Sequence, residues 1–214
     1  MIPNMKILKP FVVTVALILS IFAATGTASA ASPFKKVSGG LLHVSSGVVF
    51  PARVGAFRFV KTKLYGSAGR DVGAEYNVEI LIRGDVYVYP LGTYGKDFDA
   101  EVRAQQNAIN KLNTAVKLVS QSRFQLNQGG RSISGVRAQY ELTRPWYQNT
   151  KRRCGSQLYL FRDGPWLVAY RFSYPIEQAG AANKPIADFL RLWQWRAHGT
   201  VTRLEQTSTD GRHS

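Results

Sequence analysis

The stretch Tyr76-Asn77-Val78-Glu79-Ile80-Leu81-Ile82-Arg83-Gly84-Asp85-Val86-Tyr87-Val88-Tyr89-Pro90 decides the fold class. Tyr76, Val78, Ile80 and Ile82 alternate with Asn77, Glu79 and Leu81. Val86, Val88 and Pro90 then alternate with Tyr87 and Tyr89. A period of two is the mark of strands. Gly84-Asp85 between two β-rich runs reads as the turn of a hairpin. Arg83-Gly84-Asp85 also spells an adhesion tripeptide, but a turn asks for Gly and Asp on its own account.

Towards the C-terminus the period changes. Phe98, Val102, Gln105, Ile109, Leu112, Val116 and Val119 are spaced alternately four and three apart. That spacing is one face of an amphipathic helix, broken only by Gln105. Asp97 stands where a cap belongs, with Asp99 and Glu101 in the favoured first turn. Residues 127–135 read as a Gly/Ser-rich loop. Gly129-Gly130-Arg131-Ser132 within it leads into a strand rather than a helix, which argues against a phosphate cradle. Val136, Ala138, Tyr140 and Leu142 alternate with polar residues as a half-wet strand. Residues 157–161 and 166–174 flank Asp163-Gly164 as a second hairpin. Asn183 is placed to cap a second helix, with Pro185 in its first turn and Ile186, Phe189, Leu190 and Trp193 on its buried face. His198 and Gly199 suit its end.

Towards the N-terminus, residues 57–65 and 44–50 are strand-like, and residues 66–69 form a turn. The predicted class is α+β: a mainly antiparallel sheet of about seven strands, covered by a long amphipathic helix and a C-terminal helix. Lys6 and Lys9, the apolar run of residues 11–24 and Ala28-Ser29-Ala30 read as an export signal cleaved at about Ala30. The run is shorter than the roughly 20 residues of a spanning helix. The expected plan is a cleaved signal at 1–30, a flexible lead at 31–40, one domain at 41–199 and a polar tail at 200–214. The mature protein is expected in the periplasm or outside the cell.

The single cysteine, Cys154, excludes an internal disulfide framework and a cysteine-rich zinc site. It reads as a buried thiol, the rivals being an intermolecular disulfide or a thiol activated by Lys151-Arg152-Arg153. His43, His198 and His213 fall in no metal or nucleophile spacing. No cofactor, metal or catalytic residue is expected.

Charge is the strongest functional signal. The chain carries 28 Lys and Arg against 13 Asp and Glu. Between Val102 and Arg162 the only acid is Glu141. Arg103, Lys111 and Lys117 lie away from the helix's apolar stripe and predict a basic strip. The loop Arg144-Pro145-Trp146-Tyr147-Gln148-Asn149-Thr150-Lys151-Arg152-Arg153 interleaves aromatics with cations. Arg103, Lys111, Lys117, Arg144, Trp146, Tyr147, Lys151, Arg152 and Arg153 are therefore the candidate anion-binding residues, the alternative being that Trp146 tucks under the loop as core and the cations are merely solvated.

A family resemblance adds to this reading. It is carried by Phe50-Pro51 with Gly55, by Asp85-Val86-Tyr87-Val88-Tyr89, by Val168-Ala169-Tyr170-Arg171-Phe172-Ser173-Tyr174-Pro175 and by Ala187-Asp188-Phe189-Leu190-Arg191-Leu192-Trp193-Gln194-Trp195. In these the chain resembles the PsbP-like and DcrB-like exported α/β sandwich domains, over residues 41–196. The resemblance implies a non-enzymatic binding or assembly factor and supplies no catalytic residue. It carries no photosystem role to this chain.

The expected function is an exported binding domain whose basic face meets an anionic envelope component or an acidic protein. A lipid headgroup, a glycolipid phosphate or an acidic polymer fits, with the protein peripheral to a membrane rather than integral. Export argues against a specific nucleic-acid partner. The rivals are an assembly factor and a hydrolase of an anionic substrate, a nuclease or cell-wall hydrolase. Folding that brought His43 beside Glu141 would favour the hydrolase.

Overall fold

A computed structural model of the chain describes residues 32–128 and 130–195. The expected signal, tail, His198, Gly199 and His213 lie outside the described residues. Three short strands, β1 (Phe34–Val37), β2 (Gly40–His43) and β3 (Val49–Pro51), form a small antiparallel sheet. The lead expected to be flexible therefore contains β1, which pairs along β2 from Phe34↔His43 to Val37↔Gly40.

The main sheet has eight antiparallel strands: β4 (Arg53–Val54), β5 (Phe57–Leu64), β6 (Val72–Val78), β7 (Ile82–Pro90), β8 (Thr114–Gln128), β9 (Arg131–Pro145), β10 (Lys151–Asp163) and β11 (Trp166–Pro175). Their order is β4-β5-β6-β7-β11-β10-β9-β8. The α+β class stands, with more strands than the seven expected. The helices are α1 (Phe98–Leu112) and α2 (Ala179–Leu192).

Successive residues of a strand point to opposite faces. Along β11, Trp166, Val168, Tyr170, Phe172 and Tyr174 join one core with Ile186, Phe189, Leu190 and Trp193. Leu167 and Ala169 join the other, with Val102 and Ile109. The sheet is thus the middle of three layers, with α2 and the small sheet on one face and α1 on the other. The buried face expected for α2 is the observed one. Its start differs: α2 begins at Ala179, so Asn183 is not its cap and Pro185 lies inside it.

The first hairpin turns elsewhere than expected. Val78 pairs with Ile82, Leu81 N–H donates to the Val78 carbonyl at 2.9 Å, and Glu79 has φ +42°. Gly84 and Asp85 sit inside β7, opposite Phe172 and Arg171. A Cβ at Gly84 would lie 3.2 Å from the rings of Phe172 and Phe57. Glycine is there to admit two aromatic rings, not to turn the chain.

The first helix is shorter than its stripe. Asp97 caps it by accepting from Ala100 N–H at 2.8 Å. Asn113 closes it, its side-chain amide donating to the Ile109 carbonyl at 2.6 Å. Val116, Lys117 and Val119 belong to β8, and Leu112 is 72% exposed. The loop expected at 127–135 is the tight end of the long β8–β9 hairpin, pairing as far as Gln128↔Arg131.

Candidate functional site

On the face covered by α1, four adjacent strands change character along their length. On β11 the residues facing α1 run Leu167, Ala169, Arg171, Ser173; on β10 they run Leu160, Leu158, Ser156, Cys154. On β7 they run Tyr89, Tyr87, Asp85, Arg83, and on β9 Val136, Ala138, Tyr140, Leu142, Arg144. The apolar ends meet α1. The polar ends gather Arg83, Arg144 and Arg171 near the buried hydroxyls of Ser156 and Ser173, a polar recess in the otherwise apolar face.

The strand register makes this cluster. Arg171 pairs with Asp85, Ser173 with Arg83, and Ser156 with Ser173. Arg144 reaches across β10 to donate from Nη1 to Ser173 Oγ at 3.0 Å, and Ser173 lies 3.3 Å from Ser156 Oγ. Asp85 is engaged by Lys63 at 3.2 Å, and Lys63 also lies 3.5 Å from Glu75. Two of the guanidiniums are left short of acceptors. Nε of Arg144 and both Nε and Nη2 of Arg171 are buried without a hydrogen-bond partner. Burial, then the Arg171 charge beside it, pulls the Arg144 pKa down. Buried donors normally find partners, and guanidinium forks match carboxylate and phosphate oxygens. The cluster therefore offers donors of the kind that match carboxylate or phosphate oxygens.

The aromatic–cationic loop frames it. Trp146 is buried, with Arg83 over its ring, so it is a wall of the site rather than an exposed anchor. Tyr147 is exposed on a 3₁₀ turn in which Gln148 and Asn149 take positive φ. Lys151 is exposed, as are Arg152 and Arg153, which pair with Glu177 and Glu141. Arg103 and Lys111 are exposed on α1, and Lys117 is exposed on β8. The single helical strip expected of Arg103, Lys111 and Lys117 does not exist, because the helix ends before Lys117. Of the nine candidate residues, Arg144 and Trp146 reach the recess. Arg83 and Arg171 were not among the candidates. Their signal was present in the strand pattern: each puts a cation on the covered face, where alternation calls for an apolar residue.

The other expected chemistry resolves simply. His43 is fully buried, its Nε2 donating to the Gly69 carbonyl at 2.8 Å and its Nδ1 2.7 Å from Ser46 Oγ. The carbonyl can only accept, so Nε2 carries the proton. Phe34 and Trp166 pack against its ring, and Glu141 is bound to Arg153. His43 holds the β2–β3 turn. Cys154 is buried, and burial pushes its thiol pKa up despite the nearby arginines. It packs as a small apolar side chain.

A tyrosine-lined cleft adjoins the recess at Arg171, between α1 and the sheet. On the opposite face, a more open groove lies between α2 and β8–β10. There Arg137 donates to Gln157 at 3.3 Å, and Gln157 is bonded to both Tyr159 and Tyr174.

No family model matches the chain, and no curated protein sequence matches it. Among solved structures, the chain is similar to a Pseudomonas aeruginosa protein of unknown function at 12% identity, covering 72% of this chain and 92% of that one with a TM-score of 0.38. It is similar also to cyanobacterial PsbP from Synechocystis, at 13% identity, covering 68% of this chain and 84% of that one with a TM-score of 0.41. The PsbP-like resemblance read from the sequence is thus met again as a weak likeness of fold. It says nothing of what this chain binds.

Proposed function

We propose that this chain is a non-enzymatic binding or assembly domain whose arginine recess takes an anionic group of an envelope component or an acidic partner. One observation carries the reading: Arg83, Arg144 and Arg171 converge on one face, while the facing carboxylate, Asp85, is engaged by Lys63. Donor nitrogens of Arg144 and Arg171 stay without acceptors inside the fold. The exposed Lys151, Arg152 and Arg153 stand on the loop beside it and would draw an anion by long-range attraction. The signal-like residues 1–30 support export. Among the described residues no helix is long and apolar enough to cross a membrane, in keeping with a peripheral partner.

The test is a titration of the protein with inorganic phosphate, and with phosphatidylglycerol against phosphatidylcholine vesicles, across a salt series. Phosphate and the anionic vesicles should bind, more weakly as salt rises. The double variant Arg83→Gln/Arg144→Gln should lose that binding, and Arg103→Gln/Lys111→Gln should keep it. The reverse pattern would move the site to the helix surface and refute the recess.

A further inference from the structure

The cleft beside the recess is a cavity of about 230 Å³ between α1 and the sheet. Two tyrosine pairs line it. Tyr65 and Tyr87 have ring centroids 5.8 Å apart, and Tyr89 and Tyr94 meet edge to face at 5.2 Å. Leu158 contributes from the sheet and Ala108 from the helix. A small side chain on the helix leaves room that a leucine would fill. The cleft is also preformed. The buried carboxylate of Glu101 accepts from Gly92 N–H at 3.0 Å and Tyr94 N–H at 3.1 Å, which fixes the loop bearing Tyr94. Gln105, the polar break in the helix stripe, donates to the Tyr89 hydroxyl at 2.8 Å and fixes that ring.

Two polar groups on the lining keep unpaired buried atoms, and they are of opposite sense. Arg171 has two buried donor nitrogens unpaired. Asp71 receives the Tyr94 hydroxyl on Oδ2, while its Oδ1 is buried and unpaired. A molecule that satisfied both would carry an anionic acceptor at one end and a hydrogen-bond donor at the other. Between the tyrosines its body would be flat and apolar, because aromatic walls favour stacked or edge-on rings. A cavity smaller than the ~300 Å³ at which ordinary ligand pockets begin admits a single ring.

We infer that this cleft binds a small aromatic acid, with its anionic end on Arg171 and a donor at its far end on Asp71. The inference rests on the anion-binding reading of Arg171 and extends it to a small molecule in the adjoining cleft.

Calorimetric titration of the full protein tests it, with 4-hydroxybenzoate, benzoate and inorganic phosphate as probes. 4-Hydroxybenzoate should bind about tenfold more tightly than benzoate, the usual effect of a hydrogen bond to a charged group. Asp71→Ala should abolish that difference. Ala108→Phe, checked for fold by circular dichroism, should exclude both acids and leave phosphate binding intact. Equal affinity for the two acids in the unaltered protein needs no variant and would overturn the inference. So would acid binding that survives Ala108→Phe. Phosphate binding without binding of either acid would overturn it and leave the recess standing, whereas loss of all three would remove both readings.

Discussion

The guanidinium of Arg83 lies over the ring of Trp146, 4.8 Å from its centroid, and the Trp146 indole N–H donates to the Ile80 carbonyl at 3.2 Å. One side chain from the end of β9 therefore locks the β6–β7 turn and sets the direction of a cation in the recess. Of the two readings the sequence left open for the loop's tryptophan, partner-facing or tucked under the loop, the structure shows the second.

Trp146→Phe should keep most of the buried area while losing the indole hydrogen bond and the better cation–π face. The expected loss is about 1–2 kcal/mol in urea unfolding, with weaker phosphate binding. Trp146→Ala should cost roughly 3–5 kcal/mol. An unchanged Trp146→Phe protein would mean that the ring orients nothing.

The helix face gives a sharper contrast. Ile109 is buried at 2% exposure, whereas Leu112, on the same sequence stripe, is 72% exposed. Ile109→Ala should cost roughly 2–5 kcal/mol as a core truncation, and Leu112→Ala within about 0.5 kcal/mol. Equal costs would show that the helix packs through its last turn as well.

That contrast also marks how far the sequence could be read. The Asp97 cap, the Asp163-Gly164 hairpin and the buried face of α2 were legible, because each rests on local chemistry or a sustained period. The end of α1 was not. Val116 and Val119 continue the helical spacing by coincidence, while Asn113 stops the helix. Gly84 misled for a similar reason, since a glycine under two aromatic rings looks like a turn glycine. The recess was harder still. Arg83, Arg144 and Arg171 are neighbours only through the order β7-β11-β10-β9, which no local pattern encodes.

The triple substitution of Lys151, Arg152 and Arg153 with Gln should change unfolding free energy by less than about 1 kcal/mol. Their pairs with Glu177 and Glu141 are exposed, and such pairs contribute little. Vesicle binding should fall while phosphate binding at the recess persists, because these cations attract from outside. Loss of the fold would show that the segment is structurally required.

Burial lowers the His43 pKa below its usual value of about 6.5, against the smaller opposing effect of its bond to Gly69. The unfolded chain then takes up a proton in a window where the folded chain does not, so stability falls with pH below about 6.5. Unfolding at pH 7 and pH 5 should show a smaller free energy at pH 5. In His43→Asn that particular loss should disappear, whatever the variant's overall stability. A wild-type difference that survives in His43→Asn would assign the pH dependence elsewhere.

Arg171 offers the most direct separation of function from stability. Its Nε and Nη2 are buried without partners, and Arg144 carries the same charge close by. Donor nitrogens buried without acceptors destabilise the fold, and an apolar side chain of similar length relieves that cost. Arg171→Met should therefore raise unfolding free energy by about 1 kcal/mol in phosphate-free buffer. Adding phosphate should stabilise the unaltered protein, because a ligand of the folded state alone shifts the unfolding equilibrium. The same addition should leave Arg171→Met nearly unmoved. The two melting curves should then approach or cross as phosphate rises. A variant that is less stable in phosphate-free buffer would show that the fold already satisfies Arg171, which would leave the recess without its reason to bind.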